Sequence, residues 1–210
     1  KVNAKDCIYQ LDVSPTYGGS HRKWLADITL NNDELARDIM WSIAPIFMHK
    51  KPFGVFWYIG SGGNGKSTLL KTIYKLFGGE GKAPFTNMSL TAIEDGRDIP
   101  MMNGKLGNIC IESHDGHIKD AGNYKHLADH DILLTHAMGR NYSIEVNGNI
   151  HSIFNTNNPP TFGDKSKAIR DRTFVIPFNA EFPRDPTFDD KLWGQKNFLS
   201  DFLGDIFESA

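Results

Sequence analysis

The chain has 210 residues, of which 40% are hydrophobic and 23% are charged, and its formal net charge is −2 at pH 7. These values are typical of a globular protein with one full domain. They exclude a basic field over the whole surface, so a contact with nucleic acid must come from local clusters or from a surface formed when several copies assemble.

The cysteines and the apolar runs indicate the compartment. Cys7 and Cys110 lie far apart in the sequence and fit no metal-binding spacing. We therefore expect a reducing, intracellular environment, which is the cytoplasm. The longest apolar run, about 53–59, is far too short to span a membrane, and no signal peptide is recognised.

The first predicted helix covers residues 32–48, where apolar residues recur at every fourth position. This period is carried by Leu35, Ile39, Ile43 and Phe47. Pro45 favours a kink or an early end of the helix. The preceding residues, 1–28, contain turn signals and no clear period, so we interpret them as a lead-in segment, the end of an upstream domain.

Beyond residue 50, short apolar runs alternate with helical patterns. The run 53–59 is rich in aromatic and β-branched residues, which is typical of a buried parallel strand. The other predicted elements are a helix over 66–77, strands over 106–111, 150–154 and 173–177, a hairpin over 133–146, and a helix over about 189–208. Strands that alternate with helices predict an α/β fold with a parallel sheet covered on both faces.

A glycine-rich loop follows the first predicted strand. Residues 60–68 match the phosphate-binding loop pattern, with a strand before them and a helix after them. Glycines let successive backbone N–H groups turn toward phosphate oxygens, and the helix N-terminus adds its positive dipole end. We expect the nucleotide to contact Gly60, Gly62, Gly63, Asn64, Gly65, Lys66, Ser67 and Thr68. The alternative is a flexible glycine loop with a surface lysine.

Three side chains are expected to bind the phosphates and the metal ion. Lys66 places a charge on the β and γ phosphates, and the Ser67 hydroxyl supplies an oxygen to Mg²⁺. Glu112 ends an apolar strand, where a carboxylate can hold Mg²⁺ through water and orient the attacking water. The alternative for Glu112 is a strand-end acid that faces solvent.

Further polar residues follow the later strands. Asn157 can hydrogen-bond the γ-phosphate or its water, although Asn-Asn-Pro-Pro is also a strong turn signal. Arg170 and Arg172 precede the strand 173–177, and an arginine there can stabilise transition-state charge in its own subunit or in a neighbour. The alternative is a surface ion pair with Asp171.

The sequence resembles superfamily 3 helicases from about Asn32 to the C-terminus. It is most similar to the helicase domain at the C-terminal end of phage, plasmid and poxvirus-type primase-helicases. The likeness is carried by five ordered segments, at residues 60–68, 104–112, 124–131, 156–160 and 169–178. It implies a P-loop NTPase of the AAA+ type, with three αβα layers, a central parallel sheet, a β-hairpin insertion and short helical flanks.

The resemblance also implies a division of the chain. The lead-in segment covers 1–28 and a helical segment covers 29–50. The ATPase core covers 51–178, and a C-terminal helical segment covers 179–210. In this family pattern Glu112 corresponds to the Walker B carboxylate. Asn157 corresponds to the sensor amide, and Arg172 to the finger that reaches a neighbour's nucleotide, with Arg170 as its rival.

DNA contacts are expected at the hairpin. The tip at Arg140 matches the loop that touches the DNA backbone in such helicases, and one arginine per subunit becomes a basic collar when it is repeated around a ring. Tyr142 and Lys125 are further candidates, although Tyr142 fits an ordinary strand position and Lys125 fits a solvated helix face.

The family likeness further implies the cofactors and partners. ATP and Mg²⁺ are the expected cofactors, and single-stranded DNA and further copies in a ring, most simply a hexamer, are the expected partners. The chain resembles the motor domain of a virus- or plasmid-encoded replication protein with a linked or partner primase.

The sequence departs from the family pattern in three places. Ser113 follows Glu112 where many relatives have a second acid, residues 129–131 replace a Gly-Gly-Asp sequence, and Asp171 stands before Arg172 where an arginine is common. The single acid leaves open a replication initiator or loader that uses ATP to assemble without robust unwinding. A P-loop phosphotransferase is a further alternative, but the sequence shows no arginine-rich lid for it.

Overall fold

The computed structural model describes residues 10–48, 53–113, 117–136 and 143–209. The strands in these residues are β1 (Val55–Ile59), β2 (Phe85–Thr86), β3 (Gly107–Cys110), β4 (His117–Ile118), β5 (Leu133–His136), β6 (Ser143–Val146), β7 (His151–Thr156), β8 (Thr161–Phe162) and β9 (Thr173–Pro177). The α-helices are α1 (Arg22–Ile28), α2 (Asp33–Ile43), α3 (Lys66–Leu76), α4 (Leu90–Asp95), α5 (Gly122–Asp129), α6 (Lys167–Arg170), α7 (Phe188–Trp193) and α8 (Phe198–Ser209). Two 3₁₀ turns cover Ala44–Phe47 and Ile99–Met102.

A five-stranded sheet in the order β2-β3-β7-β1-β9 lies at the centre of the fold. Every neighbouring pair in it is parallel. The carboxyl ends of the strands therefore lie along one edge, and ligands of open parallel sheets gather at such an edge. The loop that follows β1 starts there.

Both faces of this sheet are buried. On β1, Phe56 and Tyr58 pack into one apolar cluster with α1, α2, α3 and α8. Val55 and Trp57 pack into a second cluster with α4, α5 and the base of the β5–β6 hairpin. Two covered faces explain why the run is apolar at every position rather than at alternate ones. The predicted α/β fold with a central parallel sheet is confirmed.

The start of the described chain also belongs to the first cluster. Trp24, Leu25 and Ile28 of α1 are buried in it, so residues 10–28, which the sequence suggested were a lead-in segment, pack into the same core. The helix predicted over 32–48 is α-helical to Ile43 only. It continues as the 3₁₀ turn because Pro45 has no N–H to donate.

The C-terminal region contradicts one prediction. A single helix was predicted over about 189–208, but the structure has two, α7 and α8, and Asn197 between them adopts a left-handed backbone with φ 63°. Asp201 on α8 accepts hydrogen bonds from the backbone N–H groups of Gly18 (2.9 Å) and Ser20 (3.0 Å) and from the Thr16 hydroxyl. Both ends of the described chain are thereby joined.

The hairpin is present at its predicted position. β5 and β6 are antiparallel, with Leu133 opposite Val146, and both of these side chains are fully buried. The hairpin base is thus part of the second cluster, while its tip lies outside the described residues. None of the helices in the described stretches has the length and apolar character needed to cross a bilayer.

Candidate active site

The phosphate loop joins β1 to α3 through a tight turn that needs glycine at two positions. At Gly60 a side-chain Cβ would lie 2.2 Å from the Phe178 carbonyl oxygen, so only glycine allows this close approach. Gly65, immediately before α3, has φ +87°, in the left-handed region that other residues rarely adopt. These conformations bring the loop to the N-terminus of α3, where backbone N–H groups and the helix dipole favour anions.

Lys66 is the buried cation of this loop. Its ammonium donates to the Gly60 carbonyl oxygen (2.6 Å) and to the Asn64 side-chain oxygen (2.8 Å), and the residue is 3% exposed. Both acceptors are neutral, and burial lowers the pKa of Lys66 to about 8. A desolvated ammonium with neutral acceptors gains a favourable charge interaction when a phosphate binds. The environment of Lys66 therefore fits the anion that the sequence predicted.

Asn155 lies beside the loop at the carboxyl end of β7. Its amide nitrogen donates to Ser67 Oγ (3.3 Å) and to the Ile111 carbonyl oxygen. Asn155 is 6% exposed, and its side-chain oxygen is buried with no hydrogen-bond partner within the described residues. A buried acceptor of this kind is costly unless a ligand satisfies it, so its position beside Ser67 is an independent indication of a binding site.

Asn155 is a site residue that the sequence reasoning missed. The predicted strand ends at residue 154, one residue before Asn155, whereas β7 continues to Thr156. The residue predicted as the sensor amide, Asn157, also lines the cleft but is exposed. The available signal was a polar side chain directly after the apolar pair Ile153 and Phe154.

Glu112 follows β3 at the same edge of the sheet. It is exposed, and the Ser113 N–H beside it donates to the Asn155 carbonyl oxygen (2.8 Å), which ties the two strand ends together. A cleft of about 650 Å³ opens between the loop and these strand ends, lined by the loop residues, Glu112, Asn155 and Asn157. Its volume is within the range of roughly 300–1,000 Å³ usual for small-molecule sites.

The cleft contains oxygen groups that suit a metal ion and a backbone N–H group that suits a phosphate. The Ser67 hydroxyl and the Glu112 carboxylate both line the cleft, and hard oxygen ligands of this kind suit Mg²⁺. Thr68 lines the same cleft, but its hydroxyl donates to Asp189 of α7 at 2.7 Å. The Thr68 side chain thus attaches α7 to α3, and its backbone N–H at the start of the helix is the group suited to phosphate.

Arg172 is held at the opposite end of the sheet. Its guanidinium makes two hydrogen bonds to Asp129 (2.9 and 2.7 Å) and one to the Ala168 carbonyl oxygen (3.0 Å). The Val55 N–H, at the start of β1, donates to the Arg172 carbonyl oxygen. The rival, Arg170, is exposed and makes one long contact of 3.5 Å to a carbonyl oxygen in its own loop.

Lys125, the predicted DNA contact that lies within the described residues, does not line this cleft. Lys125 on α5 forms an ion pair with Asp164 at 2.6 Å, and its hydrogen bond is the main reason why the pKa of Asp164 falls to about 2. Lys125 is therefore engaged in linking α5 to the loop after β8. Arg140 and Tyr142 lie outside the described residues.

The fold and site together define an α/β protein with a glycine-rich loop and a polar cleft at the carboxyl edge of its parallel sheet. The chain belongs to DUF5906, a family of unknown function, whose model matches residues 58–172, more than half of the chain. A comparison with curated proteins finds no match.

Solved structures show the same architecture. An A-form apo structure of the NrS-1 C-terminal region is similar to this chain with TM-score 0.62 and 18% identity. The match covers 93% of this chain and 45% of the NrS-1 chain. A second apo structure of the region matches 94% with TM-score 0.57 and 18% identity, covering 47% of that chain. JCV helicase with a bound acetamide compound matches 89% at TM-score 0.49 and 13% identity, covering 53% of that chain. The NrS-1 matches establish a shared fold, and this chain spans less than half of that region.

Proposed function

We propose that this chain is the ATP-hydrolysing motor domain of a ring-forming DNA helicase from a viral or plasmid replication protein, with a P-loop core of the AAA+ type. The observation that carries the proposal is the convergence of Lys66, Glu112 and Asn155 on one cleft at the ends of β1, β3 and β7. A cation, a carboxylate and an amide at a phosphate loop are the groups needed to bind and cleave a triphosphate.

Each of these residues has a separate task. Backbone N–H groups of the loop bind the phosphate oxygens, and Lys66 neutralises charge on the β and γ phosphates. Mg²⁺, when bound by Ser67 and Glu112, supplies positive charge to the same oxygens. Glu112 also accepts a proton from the attacking water, and the Asn155 side chain, which lines the cleft beside Ser67, helps to position the reacting groups.

The arginine finger must come from another copy of the chain. β1 has five residues, so its two ends are about 13 Å apart at about 3.3 Å per residue, and the start of β9 lies at the far end from the loop. Neither Arg170 nor Arg172 can reach the cleft of its own subunit from there. Arg172 would have to break its ion pair with Asp129 to act, whereas exposed Arg170 needs no such change. We therefore favour Arg170 as the finger over Arg172.

An arginine finger supplied by a neighbouring subunit explains why copies of the chain would assemble. A heterologous contact between one copy's cleft and the next copy's finger closes into a ring when the rotation between copies permits, and a hexamer is the expected form. The β5–β6 hairpin, with Arg140 and Tyr142 toward its tip, would then contact single-stranded DNA in the channel. Lys125 contributes there only if its ion pair with Asp164 opens.

The strand pairs suggest how a conformational change at the cleft during hydrolysis is transmitted to the hairpin. β4, in the segment after Glu112, pairs with β8, in the segment after Asn155, with His117 opposite Thr161. α5 follows β4 and leads directly into β5. A shift at either strand end of the cleft is therefore transmitted to the base of the hairpin.

The deciding experiment measures phosphate release from ATP with and without single-stranded DNA, together with particle mass under the same conditions. We expect hydrolysis that DNA stimulates, and a ring whose mass depends on ATP or DNA. Lys66→Ala is the matched negative control for hydrolysis. A monomer that hydrolyses ATP at full rate would contradict the ring. A small-molecule acceptor needed for turnover would favour the phosphotransferase alternative.

Strand displacement on a forked duplex separates a helicase from an initiator or loader. The absence of an acid directly after Glu112 favours the loader alternative, because Glu112 is the one carboxylate that the described residues place at this strand end of the cleft. DNA-stimulated hydrolysis without strand displacement, in a protein that also carries any linked primase, would select the loader.

A further inference from the structure

The segment that leaves β9 runs along the phosphate loop. The Asn64 side-chain nitrogen donates to the Phe178 carbonyl oxygen (3.1 Å), and the Phe182 N–H donates to the Gly63 carbonyl oxygen (2.7 Å). Two hydrogen bonds therefore fix residues 178–182 against the loop, and the position of Phe182 is set by the loop itself.

The same segment is attached again beyond the loop. Asp189 on α7 accepts a hydrogen bond from the Thr68 hydroxyl (2.7 Å) and pairs with the Lys71 ammonium (3.5 Å). Residues 182–189 thus pass the first turns of α3. A triphosphate bound at the N-terminus of α3 has its γ end at Lys66 and its α end along this helix, so its nucleoside must lie against the crossing segment.

Phe182 presents an aromatic face at this place. It is 41% exposed, which is unusual for a large aromatic side chain anchored so closely through its own backbone. A Cβ at Gly65 would lie 3.9 Å from Phe182 Cε2 and 2.7 Å from Ile28 Cγ2, so an aromatic and an aliphatic side chain flank the last glycine of the loop. Ile28 is buried beneath the loop, so the exposed face of Phe182 is the apolar surface that suits the π face of a nucleobase.

We propose that Phe182 stacks on the base of the bound nucleoside triphosphate and is the residue that distinguishes a nucleotide from inorganic triphosphate. The inference rests on the proposed nucleotide-binding function. Because every base has a π face, this contact accepts purines and pyrimidines, and it adds affinity rather than catalytic rate.

The test compares the affinity of the whole 210-residue chain for MgATP and for magnesium triphosphate by calorimetric titration. Phe182→Ala should weaken ATP by about 10-fold or more, the usual contribution of one stacked base, and leave triphosphate within about twofold. Phe182→Trp should retain ATP affinity and give a nucleotide-dependent fluorescence change that the wild-type protein lacks. Tyr17→Ala is the control, because Tyr17 is another exposed aromatic (58%) and lies against Gly204 of α8, away from the loop.

The outcomes separate the two proposals. Wild-type protein that binds both ligands, with Phe182→Ala unchanged or weakened equally for both, overturns the stacking role and leaves the phosphate site standing. If the wild-type protein binds ATP no more tightly than triphosphate, the stacking role is likewise overturned and the phosphate site remains. Wild-type protein that binds neither ligand overturns the nucleotide site and the stacking role together.

Discussion

Asn155→Ala removes the amide between Ser67 and the strand end of β3, and we expect it to reduce the rate of ATP hydrolysis without abolishing ATP binding. A preorganised polar group at the reacting centre contributes about 2.7–4 kcal/mol, which is roughly a 10²–10³-fold change in kcat. Asn155 is 6% exposed, so water cannot readily replace its contacts with the Ile111 carbonyl and the Ser67 hydroxyl.

The same substitution also has a structural cost. It removes two hydrogen bonds of about 1 kcal/mol each, which is small beside the 5–15 kcal/mol typical of a folded domain. The protein should therefore remain folded with a lower melting temperature. Asn155→Asp preserves the shape but places a negative charge beside Ser67, so it should also weaken ATP binding.

Asn157→Ala is the matched control because Asn157 is exposed in the same cleft, and its kcat should change by less than about threefold. Phosphate release at saturating ATP gives kcat, a titration with a fluorescent ATP analogue gives affinity, and a melting curve gives stability. A 100-fold loss for Asn157→Ala together with a near-normal rate for Asn155→Ala would refute the assignment of Asn155.

Glu112→Gln should bind ATP normally and hydrolyse it at least about 100-fold more slowly, since the amide cannot accept the water's proton; equal rates by phosphate release would contradict this. Burial lowers the pKa of Lys66 to about 8 and a bound phosphate favours its charged form, so ATP affinity should be constant below about pH 8 and fall above it. Lys66→Arg, which stays charged, should show no such decline when Kd is measured across that range. Arg172→Ala and Asp129→Ala should each lower the melting temperature, with little further loss in the double variant. Arg170→Ala should melt normally, lose hydrolysis, and regain part of it when mixed with Lys66→Ala; no recovery in confirmed rings would exclude a finger in trans.

The glycine-rich loop between β1 and α3 and the strand β1 itself were predictable because their signals are local. The glycine spacing, the hydroxyl after Lys66 and the apolar run before Gly60 all lie within fifteen residues of one another. Each strand of the central sheet except short β2 was also predicted within two residues of its ends, since each contains a short group of apolar residues.

The features that the sequence did not predict depend on partners far along the chain. Arg172 was assigned to the finger by its place before β9, but its ion pair with Asp129, 43 residues earlier, is visible only in the fold. Phe182 matches no motif in the sequence, and its backbone hydrogen bond to Gly63 is visible only in the fold. For Asn155 the error was smaller, because a strand boundary placed two residues too early was enough to hide it.

The contacts of the Asp201 carboxylate determine which truncated fragments of the protein can be stable. The resemblance to superfamily 3 helicases that the sequence suggests begins near Asn32, and the DUF5906 match begins at residue 58, so a shortened fragment would naturally start at Asn32 or later. Such a fragment would lack Thr16, Gly18 and Ser20, which donate hydrogen bonds to the carboxylate of Asp201, a residue that is 2% exposed. It would also lack Trp24 and so expose the aromatic rings of α8 that pack on it. A stable fragment should therefore retain the segment that carries Thr16, Gly18 and Ser20 together with all of α8.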